Sequence, residues 1–274
     1  MKIVSLSEKL MYCTVNINTN TGSGTGFFFK FLIDGKEYPI LITNKHVIDN
    51  DYNKIVSINF HIDNGDNTSN TNFEITLTNN RWYFHSNKDL CFCFINPYNE
   101  IIKNIIKRGI FISSIDKSII YSKQQLEGLS ALEELTMIGY PIGLSDEKNN
   151  FPIFRKGYTA SHPGICFNEE GIGLADISAF PGSSGSPIFI LNENSYSSKE
   201  GVVRIGSRCI FLGVLFAGPQ ISVDGNFEIK NIPTNQQRIN VSTPIMTNLG
   251  YYVCAYEILE FEKMIKEIIG GKII

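Results

Sequence analysis

Short runs of β-branched and aromatic residues recur along the whole chain, separated by clusters of Gly, Asn, Asp and Pro. Such punctuation marks strands joined by turns. The pattern predicts strands that include Tyr12–Asn18, Gly26–Ile33, Tyr38–Thr43, Val56–Ile62, Leu90–Ile95, Ile110–Ile112, Leu135–Ile138, Ile153–Thr159, Ile172–Asp176, Pro187–Leu191, Arg208–Phe216 and Gly250–Val253. About thirteen short strands in one chain point to sandwiches or barrels. Asp63–Asn72 and Asn192–Glu200 read as polar loops. Ser122–Glu134 has lower β-propensity and helical character, and it divides the strands into two sets of similar size. A helical period is clear only from Ala255 to Ile269, where Ile258, Leu259, Phe261, Ile265, Ile268 and Ile269 fall mostly at steps of three, four and seven. Charged residues fill most of the gaps, and Gly270-Gly271 ends the run. The pattern predicts a helix packed onto the body of the protein, the alternative being a helix that docks a partner.

Composition narrows the classes. Among 274 residues, 43% are hydrophobic and 19% charged, which is ample material for a packed core. The 24 Lys+Arg against 27 Asp+Glu give a formal net charge of −3. Without a basic run to neutralise a row of phosphates, nucleic acid is an unsuitable partner. No apolar stretch reaches the length of a membrane span, and Ser7, Glu8 and Lys9 interrupt the first residues before a signal-peptide core forms. The expectation is a cytoplasmic protein that does not engage membranes. The six cysteines show no CxxC spacing and read as buried, reduced thiols; Asn67 and Asn240 are chance glycosylation matches. The four histidines lack zinc-site spacing, and Gly22–Gly26 runs into aromatics rather than a phosphate-binding Lys. No metal or cofactor is expected.

Three segments carry chemistry. Phe180-Pro181-Gly182-Ser183-Ser184-Gly185-Ser186-Pro187 precedes an apolar strand. Glycines flanking a serine allow a tight turn that presents the hydroxyl while backbone N–H groups converge beside it. Taken alone, the string equally describes a Gly/Ser-rich β-turn. The apolar strand Ile40–Thr43 leads into a polar turn bearing His46, and Asp89 directly precedes the apolar run Leu90–Ile95. A lone turn histidine is usually just solvated, and a lone aspartate there simply initiates a strand. Together they answer a chemical need. A serine hydroxyl is a poor nucleophile until a base takes its proton, and an acceptor must hold that base in the right tautomer. An Asp drawn inward with its strand is a suitable acceptor. The chain supplies these groups in the order His46, Asp89, Ser184.

The same segments resemble the trypsin-like serine peptidases, above all bacterial HtrA-like and intracellular members. Thr43-Asn44-Lys45-His46-Val47 is similar to the family's histidine box, Asp89-Leu90 to its aspartate box, and Asp176–Pro187 to its serine box. Gly22–Phe27 is similar to the strand before the histidine, Gly213–Gly218 to the strand lining the specificity pocket and Ile138–Pro141 to the opening of the second barrel, so the likeness runs from about Tyr12 to Cys254. The resemblance implies an all-β, chymotrypsin-like fold of two six-stranded antiparallel Greek-key barrels with a C-terminal α-helix. The first barrel, residues 1–121, carries His46 and Asp89. A connection over 122–134 leads to the second barrel, 135–254, which carries Ser184, and 255–274 forms the helix and tail.

It further implies a serine endopeptidase acting on protein or peptide substrates through an acyl-enzyme, with the Gly182 and Ser184 N–H groups as oxyanion hole. Ser178, Phe216, Ala217 and Gly218 would bound an uncharged specificity pocket suited to small or apolar side chains. Bacterial relatives include effector and regulatory proteases, some in antiphage defence. Ser183 stands where secreted zymogens carry an Asp that pairs with a new N-terminal amine, so activation by such an ion pair is not expected. The alternatives are a protease-fold binding module and a latent enzyme whose oxyanion loop is ordered by a regulatory protein partner.

Overall fold

The computed structural model describes residues 5–64, 72–78, 81–228 and 238–271. Most of the polar loop expected at 63–72, with Asn67, lies outside them. After a short capped helix α1 (Leu6–Met11), the chain forms β1 (Thr14–Asn18), β2 (Ser23–Ile33), β3 (Lys36–Thr43), β4 (Val56–His61), β5 (Asn72–Leu77), β6 (Tyr83–Phe84) and β7 (Cys91–Phe94). Helix α2 (Asn96–Ile106), β8 (Ile115–Asp116) and α3 (Lys123–Glu127) lead to β9 (Glu134–Gly139), β10 (Ile153–Thr159), β11 (Ile172–Asp176) and β12 (Pro187–Asn192). A small hairpin, β13 (Ser195–Ser197) and β14 (Val203–Ile205), precedes β15 (Arg208–Ala217). A long ribbon, β16 (Gln220–Glu228) and β17 (Arg238–Met246), precedes β18 (Leu249–Cys254). A 3-10 turn over Ala255–Leu259 then continues into α4 (Glu260–Ile269).

The second half closes into a six-stranded antiparallel barrel, β10-β11-β18-β15-β12-β9. Counting its strands in chain order, the ring reads first, second, third, sixth, fifth, fourth, a Greek-key order. The first half is an eight-stranded sheet along the path β5-β4-β1-β2-β3-β7-β6, with β8 attached to β2. With β1, β2, β3, β4, β5 and β7 counted likewise, the same cyclic order results, but no ladder joins β5 to β7 among the described residues. The first unit therefore repeats the topology of the second with one seam open. Strands from both ends of the path still bury side chains in one core, where Ile58, Phe60 and Leu77 meet Trp82, Cys91 and Cys93.

Strand β2 explains why the two halves form one body. Phe28 points into the first core, whereas Phe27, Phe29 and Phe31 belong to a second cluster with Phe189, Phe211 and Val214 of the barrel. Both faces are buried from Gly24 to Phe29, so Phe27-Phe28-Phe29 reads as a continuous apolar run, and alternation returns where Lys30 and Leu32 face outward. Phe261 and Ile265 of α4 join that cluster, so the helix packs into the junction. Each fully buried phenylalanine contributes roughly 2–3 kcal/mol.

Several expectations are corrected. Ile110–Ile112 is not a strand; Ile110 makes only an isolated bridge to Ile62. The helix over Ala255–Ile269 begins as a tighter 3-10 turn. Burial pushes the thiols of Cys13 and Cys254 up to about 12 and that of Cys209 to about 11, so these sulfurs act as apolar filler. No helix among the described residues is long and apolar enough to cross a membrane.

His61 is buried against the rings of Tyr12 and Phe151, with Nε2 facing the Asn150 carbonyl at 3.2 Å. Burial holds this imidazole down to about 4, below its ordinary 6.5. The unfolded chain therefore binds the proton first as pH falls through 6.5, and stability drops until the folded ring also protonates near 4. Urea unfolding should show His61→Phe flattening the loss between pH 7 and 4.5 by roughly 2 kcal/mol. An unchanged pH slope would refute the assignment.

Candidate active site

β3 ends at Thr43, and the chain turns through Asn44 and Lys45 into a 3-10 turn that begins at His46. Asn44 is buried, and its Nδ2 donates to the Asp89 carbonyl at 2.7 Å, tying the histidine turn to the aspartate loop. His46 Nδ1 lies 2.6 Å from Asp89 Oδ2, and the His46 backbone N–H donates to Oδ1 at 3.3 Å. A carboxylate only accepts, so Nδ1 carries the proton and Nε2 presents its lone pair. The pair is more open than the sequence suggests: the side chains are 43% and 28% exposed, so Asp89 is less enclosed than the strand that follows it.

Ser184 arrives from the other half on the loop between β11 and β12. These strands are not neighbours in the ring, so residues 177–186 must pass over one end of the barrel. Two glycines make the tight path possible. Gly182 has φ +86° and Gly185 φ +88°, a region that L side chains avoid. A Cβ on Gly185 would stand 1.8 Å from the Thr25 carbonyl oxygen, so the loop rests on β2 at backbone contact.

Thr25 fixes this approach. Its N–H donates to the Ser184 carbonyl at 2.8 Å, and its hydroxyl donates to the Gly182 carbonyl at 2.9 Å. The same hydroxyl accepts from Tyr140 N–H at 3.0 Å, and the Thr25 carbonyl accepts from Thr43 Oγ1 at 2.7 Å. One residue thereby joins the serine loop, the strand leading to His46 and the β9–β10 turn. Sequence reasoning missed it because a threonine within a Gly-rich strand shows nothing of its partners.

Within the loop, the N–H groups of Ser183, Gly185 and Ser186 donate to Phe180, Leu215 and Ser183 carbonyls. Those of Gly182 and Ser184 have no acceptor among the described residues. The Pro181 carbonyl is turned away to Ile142 N–H at 2.5 Å. Two free N–H groups beside a serine hydroxyl suit an oxygen that gains charge. The described residues hold no hydrogen bond between Ser184 Oγ and His46.

No family model matches the chain, and no curated protein matches it. Among solved structures it is similar to the Rv3671c protease of M. tuberculosis in its inactive form, at 15% identity and TM-score 0.45, over 95% of this chain and 96% of that one. It is also similar to the scabies mite inactivated protease paralogue S-I1, at 12% identity and TM-score 0.44, over 94% and 96%. Likenesses this remote carry nothing about the chemistry of this chain.

A cavity of about 150 Å³ opens beside Ser184, walled by Ala179, Leu215, Ala217, Gly218, Gln220 and Met246, and none of its lining residues is charged. Of the residues expected to bound the pocket, Ala217 and Gly218 line this cavity, and Ser178 and Phe216 do not. Ser178 Oγ donates to Asn248 Oδ1 at 2.6 Å, and Phe216 packs towards Tyr251. Gln220 and Met246 were missed. They are the paired root of the β16–β17 ribbon, whose alternation Ile221, Val223, Phe227 and Ile239, Val241, Ile245 carried a readable strand signal. A larger hollow of about 630 Å³ near Asn18, Lys54 and Glu74 shares no residue with this cavity.

Replacing Thr25 by Val keeps the shape and removes the hydroxyl, leaving the Tyr140 N–H and Gly182 carbonyl without their partner. Urea unfolding should register a loss of about 1–3 kcal/mol, while Thr25→Ser stays close to wild type. Equal stability of Thr25→Val and wild type would contradict the role given to the hydroxyl.

Proposed function

We propose that this chain is a serine endopeptidase that cleaves peptide bonds by an acyl-enzyme route. The observation that carries the reading is the junction itself. A His46–Asp89 pair at 2.6 Å stands on one half, and Thr25 holds Ser184, with two free N–H groups, against that half. Ser184 Oγ attacks the peptide carbonyl while His46 Nε2 takes its proton and later returns it to the leaving amine. Asp89 orients the imidazole and stabilises its charged form. The Gly182 and Ser184 N–H groups hold the oxyanion, at on the order of 3 kcal/mol each.

The uncharged cavity beside Ser184 favours a small or apolar residue preceding the scissile bond. Ser183 is buried and carries no charge, so an N-terminal ion pair has nothing to bind there. The missing Ser184–His46 hydrogen bond favours a second reading, a latent form in which a protein partner completes the contact. Catalytic hydrogen bonds often tighten only with substrate bound. A cytoplasmic bacterial effector or regulatory role, including antiphage defence, extends the proposal from the sequence resemblance.

Intact-mass labelling with a fluorophosphonate tests the reaction without knowledge of the substrate. Wild type should gain one adduct, Ser184→Ala and His46→Ala none, and Asp89→Asn should react on the order of 10⁴-fold more slowly. An adduct that survives Ser184→Ala would reject the assignment, and no adduct on wild type would leave the latent form or a non-catalytic binding module. On a peptide library, cleavage should follow small or apolar residues; dominant cleavage after Lys or Arg would reject the pocket reading.

A further inference from the structure

The loop that carries Asp89 is fastened from behind by a second histidine. His85 is fully enclosed, with its side chain 0% exposed. Its Nδ1 accepts two backbone N–H groups of its own loop, Asn87 at 3.3 Å and Lys88 at 3.1 Å. An Nδ1 that accepts leaves the proton on Nε2, which faces the Glu257 carbonyl at 3.2 Å. The carboxylates of Glu257 and Glu260 lie 3.7 and 3.4 Å from that nitrogen. Ser86 adds two bonds to Glu260, from its N–H at 2.8 Å and its hydroxyl at 2.9 Å. Lys88 Nζ reaches the Glu170 carbonyl, and the His85 N–H closes the loop onto the Leu90 carbonyl at 2.9 Å.

Three of the four residues preceding Asp89 are therefore anchored to segments of the second half, and Asp89 itself is partly open to solvent. Among the described residues, its carboxylate accepts hydrogen bonds from His46 alone. We infer that His85 is a positioning residue: it pins the 85–89 loop to the C-terminal 3-10 turn and helix, so that Asp89 meets His46 in the orienting geometry. This rests on the protease reading above. It also gives the C-terminal segment a part in the active site, since that segment supplies the partners of His85 and Ser86.

The charged groups that face the ring are Glu257 and Glu260 from the C-terminal segment, Lys45 from the histidine turn and Lys88 from its own loop. Burial lowers the affinity of His85 for a second proton. Protonation would turn Nδ1 from acceptor to donor against two N–H groups, so acid should loosen the loop.

The test uses the full chain and two readouts. The first is the deshielded NMR resonance of the His46 Nδ1 proton held by Asp89, which reads their geometry whether or not the protein turns over. The second is the fluorophosphonate labelling rate. His85→Asn keeps an acceptor where Nδ1 stands, and His85→Leu removes both ring nitrogens. The resonance should persist in His85→Asn and vanish in His85→Leu, with labelling slowed roughly 100-fold in the latter and little in the former.

If both variants keep the resonance, or if both fold cooperatively and lose it equally, the positioning role is overturned and the ring merely fills space. Should His85→Leu fail to fold, Glu260→Ala decides: a weakened resonance supports the clamp and an unchanged one overturns it. Absence of labelling in wild type would count against the protease reading alone, because the resonance still tests the clamp.

Discussion

Four hydrogen bonds at Thr25 set the geometry on which the rest of the site depends. Three of them join backbones that come from different halves of the chain and have no covalent reason to meet. The hydroxyl is used twice, as donor to the Gly182 carbonyl and as acceptor from Tyr140 N–H, so it leaves neither group unpaired. Leaving a buried partner unsatisfied costs more than a typical hydrogen bond contributes. The close approach at Gly185 requires the same alignment, because a side chain there would strike the Thr25 carbonyl.

Topology supplies what Thr25 then fixes. Both halves wind their main strands in one cyclic order, and the crossing between the third and fourth barrel strands carries Ser184 over the barrel end. The phenylalanines of β2 and the apolar face of α4 close the junction from below. The junction is thus a continuous apolar core with a polar edge. The aspartate loop, the histidine turn and the serine loop all stand on that edge. His85 and Glu260 link the helix at its base to the aspartate loop, so packing and chemistry share residues.

Much of this was legible in the chain. Strands buried on one or both faces leave periodic or unbroken apolar runs, and β2, β3, β7 and β12 were readable for that reason. Gly182 and Gly185 were legible because their backbone angles exclude most other residues. Long-range polar contacts were not. Nothing in the residue types says that Thr25 meets Gly182, or that His85, in a polar stretch, has its ring enclosed beneath a helix. Ser178 was misplaced as a pocket wall because Asn248, seventy residues further on, competes for its hydroxyl. The ribbon that supplies Gln220 and Met246 did carry an alternating pattern, interrupted by Gly225 and Pro244.

The central claim is that Ser184, the two free N–H groups and His46 act on one reacting carbon. A crystal structure of the full chain after treatment with a peptidyl phosphonate bearing an apolar side chain tests it most directly. The account predicts a bond from Ser184 Oγ to phosphorus, one phosphonyl oxygen about 2.7–3.1 Å from the Gly182 and Ser184 nitrogens, and the apolar side chain between Ala217 and Met246. Phosphorus bonded to another residue, or an adduct whose oxygen faces away from both N–H groups, would contradict it.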